Sequence, residues 1–275
     1  MKSGKALVSR SSAAVVTGAG SGIGRSFAVE IARRGGSVIC SDIRMDRAEE
    51  TVAIIRRAGG KAHAVACDVG EAEQVRELSE RSPELLGRPV SLVVNNAGIG
   101  IGGPIGEVSL EDWKACLHVN LWGVIHGCHY FVPRLKALGY GGVINVASAA
   151  GFAAAPEMTT YNVTKAGVLS LTETLYAELA GTGVKVTALC PTVVPTNIVR
   201  DGKLPDNRKE FASKAMTRFA LTDSDTVARK TLDALDKGQL YMLPQIDGRI
   251  AWLFKRVTPR LYAKTLGETY RLIAG

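Results

Sequence analysis

Residues 13–24, AAVVTGAGSGIG, run from four apolar residues straight into a glycine-rich turn. After the turn, Phe27, Ala28, Ile31 and Ala32 recur at helical spacing. Strand, glycine turn and helix in that order bring backbone N–H groups to the helix N-terminus, where a pyrophosphate is held. The spacing is T-G-x-x-x-G-x-G, so the general G-x-G-x-x-G dinucleotide fingerprint fails on a strict match. A glycine turn without a ligand is the competing reading, and the flanking strand and helix count against it.

The following residues repeat the alternation. Residues 37–41 read as a second strand with Asp42 at its carboxyl end, about 20 positions past the glycine loop, where a carboxylate accepts hydrogen bonds from ribose hydroxyls. A carboxylate there repels a 2′-phosphate, so NAD is favoured over NADP; Arg44 weakens that preference without reversing it. An amphipathic helix over 47–58, a strand over 62–66 and a helix over 71–80 follow, with Asp68 and Val69 between the last two. Asp68 is placed to cap that helix or to bracket an adenine ring. The continuous apolar run 90–94 suits a parallel strand covered on both faces and delivers Asn95, Asn96, Ala97 and Gly98, with Asn95 placed to knit neighbouring strands. Residues 110–135 read as one long helix interrupted by Asn120, a buried amide in need of partners, for which a kink beside a water channel is one solution. Strands over 142–147, 184–189 and 239–243 and a helix over 223–237 complete the pattern, and the polar stretch 197–221 suits a mobile lid. The sum is an α/β fold: one doubly wound domain with a parallel sheet.

Tyr161 and Lys165 stand four apart in a predicted helix and share one face. An ammonium beside a phenol favours phenolate, which makes a proton donor and acceptor of a group that otherwise titrates near ~10. Ser148 ends the 142–147 strand, where its hydroxyl can hold a carbonyl oxygen. Alone, Tyr-x-x-x-Lys more often marks a surface tyrosine beside a solvated lysine; the upstream glycine loop and carboxylate change that balance.

Composition bounds the rest. The chain has 275 residues with 46% hydrophobic and 22% charged, ordinary for a single globular domain. No apolar run reaches the ~18 residues needed to span a bilayer. Arg10 interrupts the basic start, which argues against a signal peptide. Cys40, Cys67, Cys116, Cys128 and Cys190 form no close C-x-x-C pair, so reduced thiols and a cytoplasmic location are expected and no metal site is. His118, His126 and His129 read as face residues. The net charge of +8 is dispersed, without the aromatic-interleaved basic cluster of a specific nucleic-acid surface.

Together these residues resemble the short-chain dehydrogenase/reductase family over roughly residues 13–243. Four signals agree in order: the loop from Thr17 to Gly24, the run Asn95-Asn96-Ala97-Gly98, Ser148, and Tyr161-x-x-x-Lys165. The resemblance implies a Rossmann-type domain with NAD as cofactor. Gly18, Ser21, Gly22, Ile23 and Gly24 would hold phosphate, Asp42 the ribose, and Asp68 and Val69 the adenine. Asn95, Ala97, Gly98, Val194 and Thr196, with Tyr161 and Lys165, would stand at the nicotinamide half. Tyr161 would be the general acid/base, Ser148 would polarise the substrate oxygen, Lys165 would lower the tyrosine pKa, and Asn120 would support a proton-relay water. Pro191 is followed by Thr192 where the family usually has glycine, which leaves the shape of that loop open.

The chain divides into an N-terminal arm (1–12), the catalytic domain (13–244) and a C-terminal helical tail (245–275). The expected activity is interconversion of a secondary alcohol and a ketone. Phe152, residues 153–156, Met158, Val193, Val194, Ile198 and Val199 flank the site and point to an apolar substrate. A 3-oxoacyl thioester reductase is the alternative within the enzyme class, and the tail weighs against it; outside that class stands a non-catalytic NAD-sensing protein. A homodimer or homotetramer is expected. The tail mixes Trp252, Leu253, Phe254, Leu261 and Tyr262 with basic residues. It packs on its own domain or a partner subunit, the favoured reading, or lies on an anionic membrane surface.

Overall fold

A computed structural model describes residues 7–195, 198, 202–203 and 222–274. Strands β1 (Ala13–Thr17), β2 (Ser37–Asp42), β3 (Lys61–Ala66), β4 (Leu92–Asn95), β5 (Gly141–Val146), β6 (Val184–Leu189) and β7 (Tyr241–Met242) form one sheet in the order β3-β2-β1-β4-β5-β6-β7. Every neighbouring pair is parallel. The order reverses direction between β1 and β4, so the carboxyl ends of those strands diverge around a crevice, the usual ligand site of an open α/β sheet.

Helices cover both faces, as a parallel sheet requires. Against one face pack α1 (Gly22–Arg33) and, far along the chain, a helix over Ser224–Asp236. Phe27, Ile31, Val227, Leu232 and Leu235 fill the cluster between them and the sheet. Against the other face pack α3 (Ala72–Leu86), α5 (Gly123–Leu138) and α7 (Thr159–Glu178), through Leu78, Phe131, Leu135, Val168 and Leu175. Helix α2 (Met45–Arg57) joins β2 to β3, and α6 (Ala150–Ala153) is a single turn before α7. The Ser224–Asp236 helix is α8.

Two expectations are corrected. The helix predicted over 110–135 is two helices, α4 (Leu110–Leu117) and α5, joined through a π-helical turn at His118–Trp122. The wider turn carries Asn120, which is fully buried, so the interruption read in the sequence is a real change of helical geometry. Helix α3 runs past Glu80 to Leu86 with Pro83 inside it. Of the N-terminal arm, the described residues 7–12 pack on the domain: Val8 is 1% exposed in the core, and Ser9 donates from its backbone N (2.9 Å) and Oγ (2.6 Å) to the Asp236 carboxylate.

The tail forms α9 (Ile246–Val257) and α10 (Pro259–Ala274). Thr258, before Pro259, adopts φ −135°, ψ 67°, outside the helical region that a following proline disfavours, and this breaks the two helices apart. All five cysteines are buried and free. No helix among the described residues is long and apolar enough to cross a membrane.

Candidate active site

A cleft of about 560 Å³ opens at the β1/β4 divergence. Gly18, Ser21, Gly22, Ile23, Gly24, Asp42, Asp68, Val69, Ala97, Gly98, Tyr161 and Lys165 all line it, so these sequence-predicted residues share one cleft. At its floor the loop is built from backbone. Gly18 (φ 62°) and Gly22 (φ 51°) occupy left-handed conformations that suit glycine. A Cβ on Gly24 would collide with the Gly18 carbonyl oxygen and the Asn96 amide. The loop is tied to the end of β4 by Thr17, whose hydroxyl accepts from Asn96 N (3.0 Å) and Ala97 N (3.1 Å). The Asn96 side chain donates in return to Thr17 O at 2.8 Å.

The Asp42 carboxylate accepts from Gly20 N at 2.9 Å and from Arg44 N at 3.0 Å, which fixes it at the mouth of the loop. The Arg44 guanidinium pairs with Asp46 at 2.6 Å. Asp68 does not cap α3. Its Oδ1 accepts from Gly70 N at 2.9 Å and shapes the turn beside the cleft instead.

Two predicted cofactor residues lie elsewhere. Asn95 is 2% exposed, and its Nδ2 donates to Asn145 Oδ1 on β5 at 2.8 Å, so its side chain knits strands under the cleft, as its strand position allowed. Strand alternation turns the next residue outward, and Asn96 is the asparagine that lines the cleft. Val194 is 3% exposed in the α1-side apolar cluster, its side chain in the core. Thr196 and Val199 lie outside the described residues. Arg47, Ile99, Val119 and Ile198 line the cleft and were not anticipated as cofactor contacts.

At the other end of the cleft stand Ser148, Tyr161 and Lys165. Ser148 is 8% exposed; its Oγ accepts from Ala150 N at 3.1 Å and donates to Pro191 O at 3.4 Å, which orients it. Lys165 is 3% exposed, and its Nζ donates to Val146 O at 2.9 Å while lying 5.6 Å from the centre of the Tyr161 ring. The expected lowering of the tyrosine pKa is absent in this state. Burial pushes the phenol up to about 12, against which the Ser148 hydroxyl pulls down. Burial likewise brings Lys165 down to about 8. The ammonium sits against the ring and a backbone carbonyl rather than at the hydroxyl, and desolvation outweighs its field.

Asn120 closes this end from behind. Its Oδ1 accepts from Ile99 N at 2.8 Å and its Nδ2 donates to Ile99 O at 2.9 Å, so the π-helical turn holds the segment after β4 by both backbone groups of one residue. A Cβ on Gly98 would stand 3.2 Å from Asn120 Oδ1 and 3.6 Å from Lys165 Nζ, which places the three together.

The end of α6 and the segment leading into α7 span residues 152–157. Ala154 (φ 54°) and Glu157 (φ 61°) take left-handed conformations without being glycine, at a cost of about 1 kcal/mol each. Side chains of the tail hold that segment. Lys255 Nζ donates to Phe152 O at 2.5 Å, Tyr262 OH to Ala153 O at 2.9 Å, and Tyr270 OH to Glu157 Oε1 at 2.6 Å. The tail therefore packs on its own domain, the favoured of the two sequence readings.

A glycine cradle, a strand-end carboxylate and a serine–tyrosine–lysine set around one crevice define a nucleotide-dependent oxidoreductase architecture. The model of the short chain dehydrogenase family matches residues 12–206, and the chain belongs to that family. It is similar to a probable oxidoreductase, EphD, of Mycobacterium tuberculosis, 42% identical over 185 residues; the match covers 67% of this chain but spans only 31% of that relative. A cyclohexanol dehydrogenase of an Acinetobacter species is 36% identical over 189 residues, 68% of this chain and 75% of the relative. A crystal structure of a short chain dehydrogenase/reductase from Burkholderia phymatum in complex with NAD superposes with a TM-score of 0.86 at 32% identity, covering 93% of this chain and 96% of that one.

Proposed function

We propose that this protein is an NAD-dependent oxidoreductase that interconverts a secondary alcohol and a ketone on an apolar substrate, with Tyr161 as general acid/base. One observation carries the reading: Tyr161 and Lys165 line the same cleft as Gly18, Gly22, Gly24 and Asp42. The cradle fits a dinucleotide, because Ser21, Gly22, Ile23 and Gly24 line the cleft where α1 begins, at the end of a helix whose backbone N–H groups suit a pyrophosphate. The fixed Asp42 carboxylate suits ribose hydroxyls and opposes a 2′-phosphate. The NAD complex of the Burkholderia protein supports the same choice.

NAD bound there supplies the hydride acceptor, or as NADH the donor. The chain's own residues handle the oxygen and its proton. Ser148 and Tyr161 hold the substrate oxygen and stabilise alkoxide character as it develops. Tyr161 takes the hydroxyl proton in oxidation and returns it in reduction. Lys165, when protonated, favours the phenolate against the burial that pushes the phenol up to about 12. Asn120 pins Ile99 and thereby the wall of the cleft opposite Lys165.

Ile99, Val119 and Ile198 on the cleft and Phe152 and Met158 in and beside the 152–157 segment support an apolar substrate, as does the similarity to a cyclohexanol dehydrogenase. Leu110 and Trp122, 72% and 50% exposed along α4 and the π-helical turn, support association into a homo-oligomer. The test is a panel of cyclic and long-chain secondary alcohols, with polar sugars as contrast, assayed with NAD and with NADP by the reduced-nicotinamide absorbance. Turnover of apolar alcohols with NAD is expected. Oxidation of sugars alone would overturn the substrate class, and a preference for NADP would overturn the reading of Asp42.

A further inference from the structure

The inner faces of α9 and α10 are accounted for by their hold on residues 152–157. Their outer faces are not. Along α9, Ile246, Ile250, Leu253 and Val257 fall at i, i+4, i+7 and i+11, one line on one helix face, and are 58–69% exposed. Beyond the break at Thr258, Leu261 on α10 is 53% exposed as well. A row of large aliphatic side chains in water is a docking surface in want of an occupant.

The flanking charges identify it. From Ile246 to Ala274 there are six basic residues, Arg249, Lys255, Arg256, Arg260, Lys264 and Arg271, against two acidic ones, Asp247 and Glu268. Arg256 stacks 4.4 Å over Trp252 and 5.9 Å over Tyr241, between the apolar line and the domain, while Arg260 and Lys264 stand on α10. A second copy docked face to face would set this positive margin against itself. A negatively charged surface with an apolar layer beneath answers both features at once.

We propose that the outer face of the tail helices docks on an anionic lipid bilayer, lying in its interface without crossing it. The aliphatic line enters the acyl boundary while Arg260 and Lys264 meet the headgroups. Since Tyr262, Lys255 and Tyr270 on the same two helices hold the substrate-side loop, docking turns that side of the cleft toward the membrane, where a water-insoluble alcohol or ketone would be drawn from the lipid.

The test is co-sedimentation of the full chain with vesicles of phosphatidylcholine alone and of phosphatidylcholine mixed with phosphatidylglycerol. Expected are pelleting with the anionic vesicles only, a decline as salt rises, and a loss of roughly tenfold in the bound fraction for Leu253→Glu with Val257→Glu. Arg260→Glu with Lys264→Glu, which keeps the aliphatic line intact, is expected to abolish the preference for phosphatidylglycerol. No pelleting by the wild type, or equal pelleting by wild type and both variants, overturns the proposal. So does a halving of the solution mass in Leu253→Glu/Val257→Glu, which would make the face a contact between copies. Turnover of a water-soluble alcohol in the same samples is expected to be unchanged, so failure here is separable from failure of the enzymatic reading.

Discussion

On the cofactor side of the cleft, Gly18, Gly22 and Gly24 are held by backbone and by the ends of neighbouring strands, through Thr17, Asn96 and Asp42. On the substrate side, residues 152–157 are held by side chains arriving 103, 109 and 113 positions later. The first wall is a property of the sheet, which any ligand of the family's kind meets in the same form. The second is a property of this chain's tail, with two left-handed non-glycine residues kept in place by hydrogen bonds from α9 and α10. A rigid, generic half and a laced, particular half make sense where one cofactor serves many substrates.

The largest expected break in this contrast comes from the cofactor wall. Gly24→Ala puts a methyl group on the Gly18 carbonyl oxygen, a backbone atom that cannot swing aside. NADH affinity, read by nicotinamide fluorescence, is expected to fall by roughly a hundredfold, about 2.7 kcal/mol. Retention of wild-type affinity would show that the loop is softer than its packing implies.

Next comes Lys165→Met. Removing a catalytic cation is expected to lower turnover by at least roughly a hundredfold. Stability is expected to move the other way, with the unliganded variant more stable at neutral pH by about 1–3 kcal/mol. The sign follows from burial. The Lys165 pKa stands at about 8 in the folded protein against an ordinary 10.5, so the cost of enclosing the charge is full below pH 8 and fades as pH rises from 8 toward 10.5. The gap in melting temperature between Lys165→Met and wild type should therefore shrink across that interval. A gap that widens with pH would mean the ammonium is stabilised where it lies.

The substrate wall should respond more gently. Tyr262→Phe removes one hydrogen bond to Ala153 and is expected to cost about 0.5–1.5 kcal/mol. KM for an apolar alcohol should rise a few-fold while NADH affinity stays at the wild-type value. An equal loss of both would merge the two walls into one cooperative unit.

The same contrast explains what could be read from the residues alone. The strand–glycine–helix start, Asp42 and the Tyr161–Lys165 face depend on contacts a few residues apart or on chain direction at strand ends, and those leave local patterns. Asn95 and Asn96 are adjacent and chemically identical, and only the phase of β4 decides that one is buried under the sheet and the other lines the cleft. Asn120 advertised an interruption in an apolar helix, but not that its amide would be spent on Ile99. The direction of the tyrosine shift in the unliganded protein differs for a related reason: charges can be counted along a sequence, whereas desolvation belongs to the assembled core. The tail's grip on residues 152–157 has no local signal at all.

The most direct measurement pairs binding with turnover in Tyr161→Phe. Wild type given NAD and an apolar secondary alcohol should generate the reduced-nicotinamide absorbance, and Tyr161→Phe should fall by roughly a thousandfold while binding NADH as wild type does. Turnover in the variant near the wild-type rate, or none in the wild type with any alcohol of the panel despite tight NADH binding, would contradict the assignment of proton transfer to this phenol.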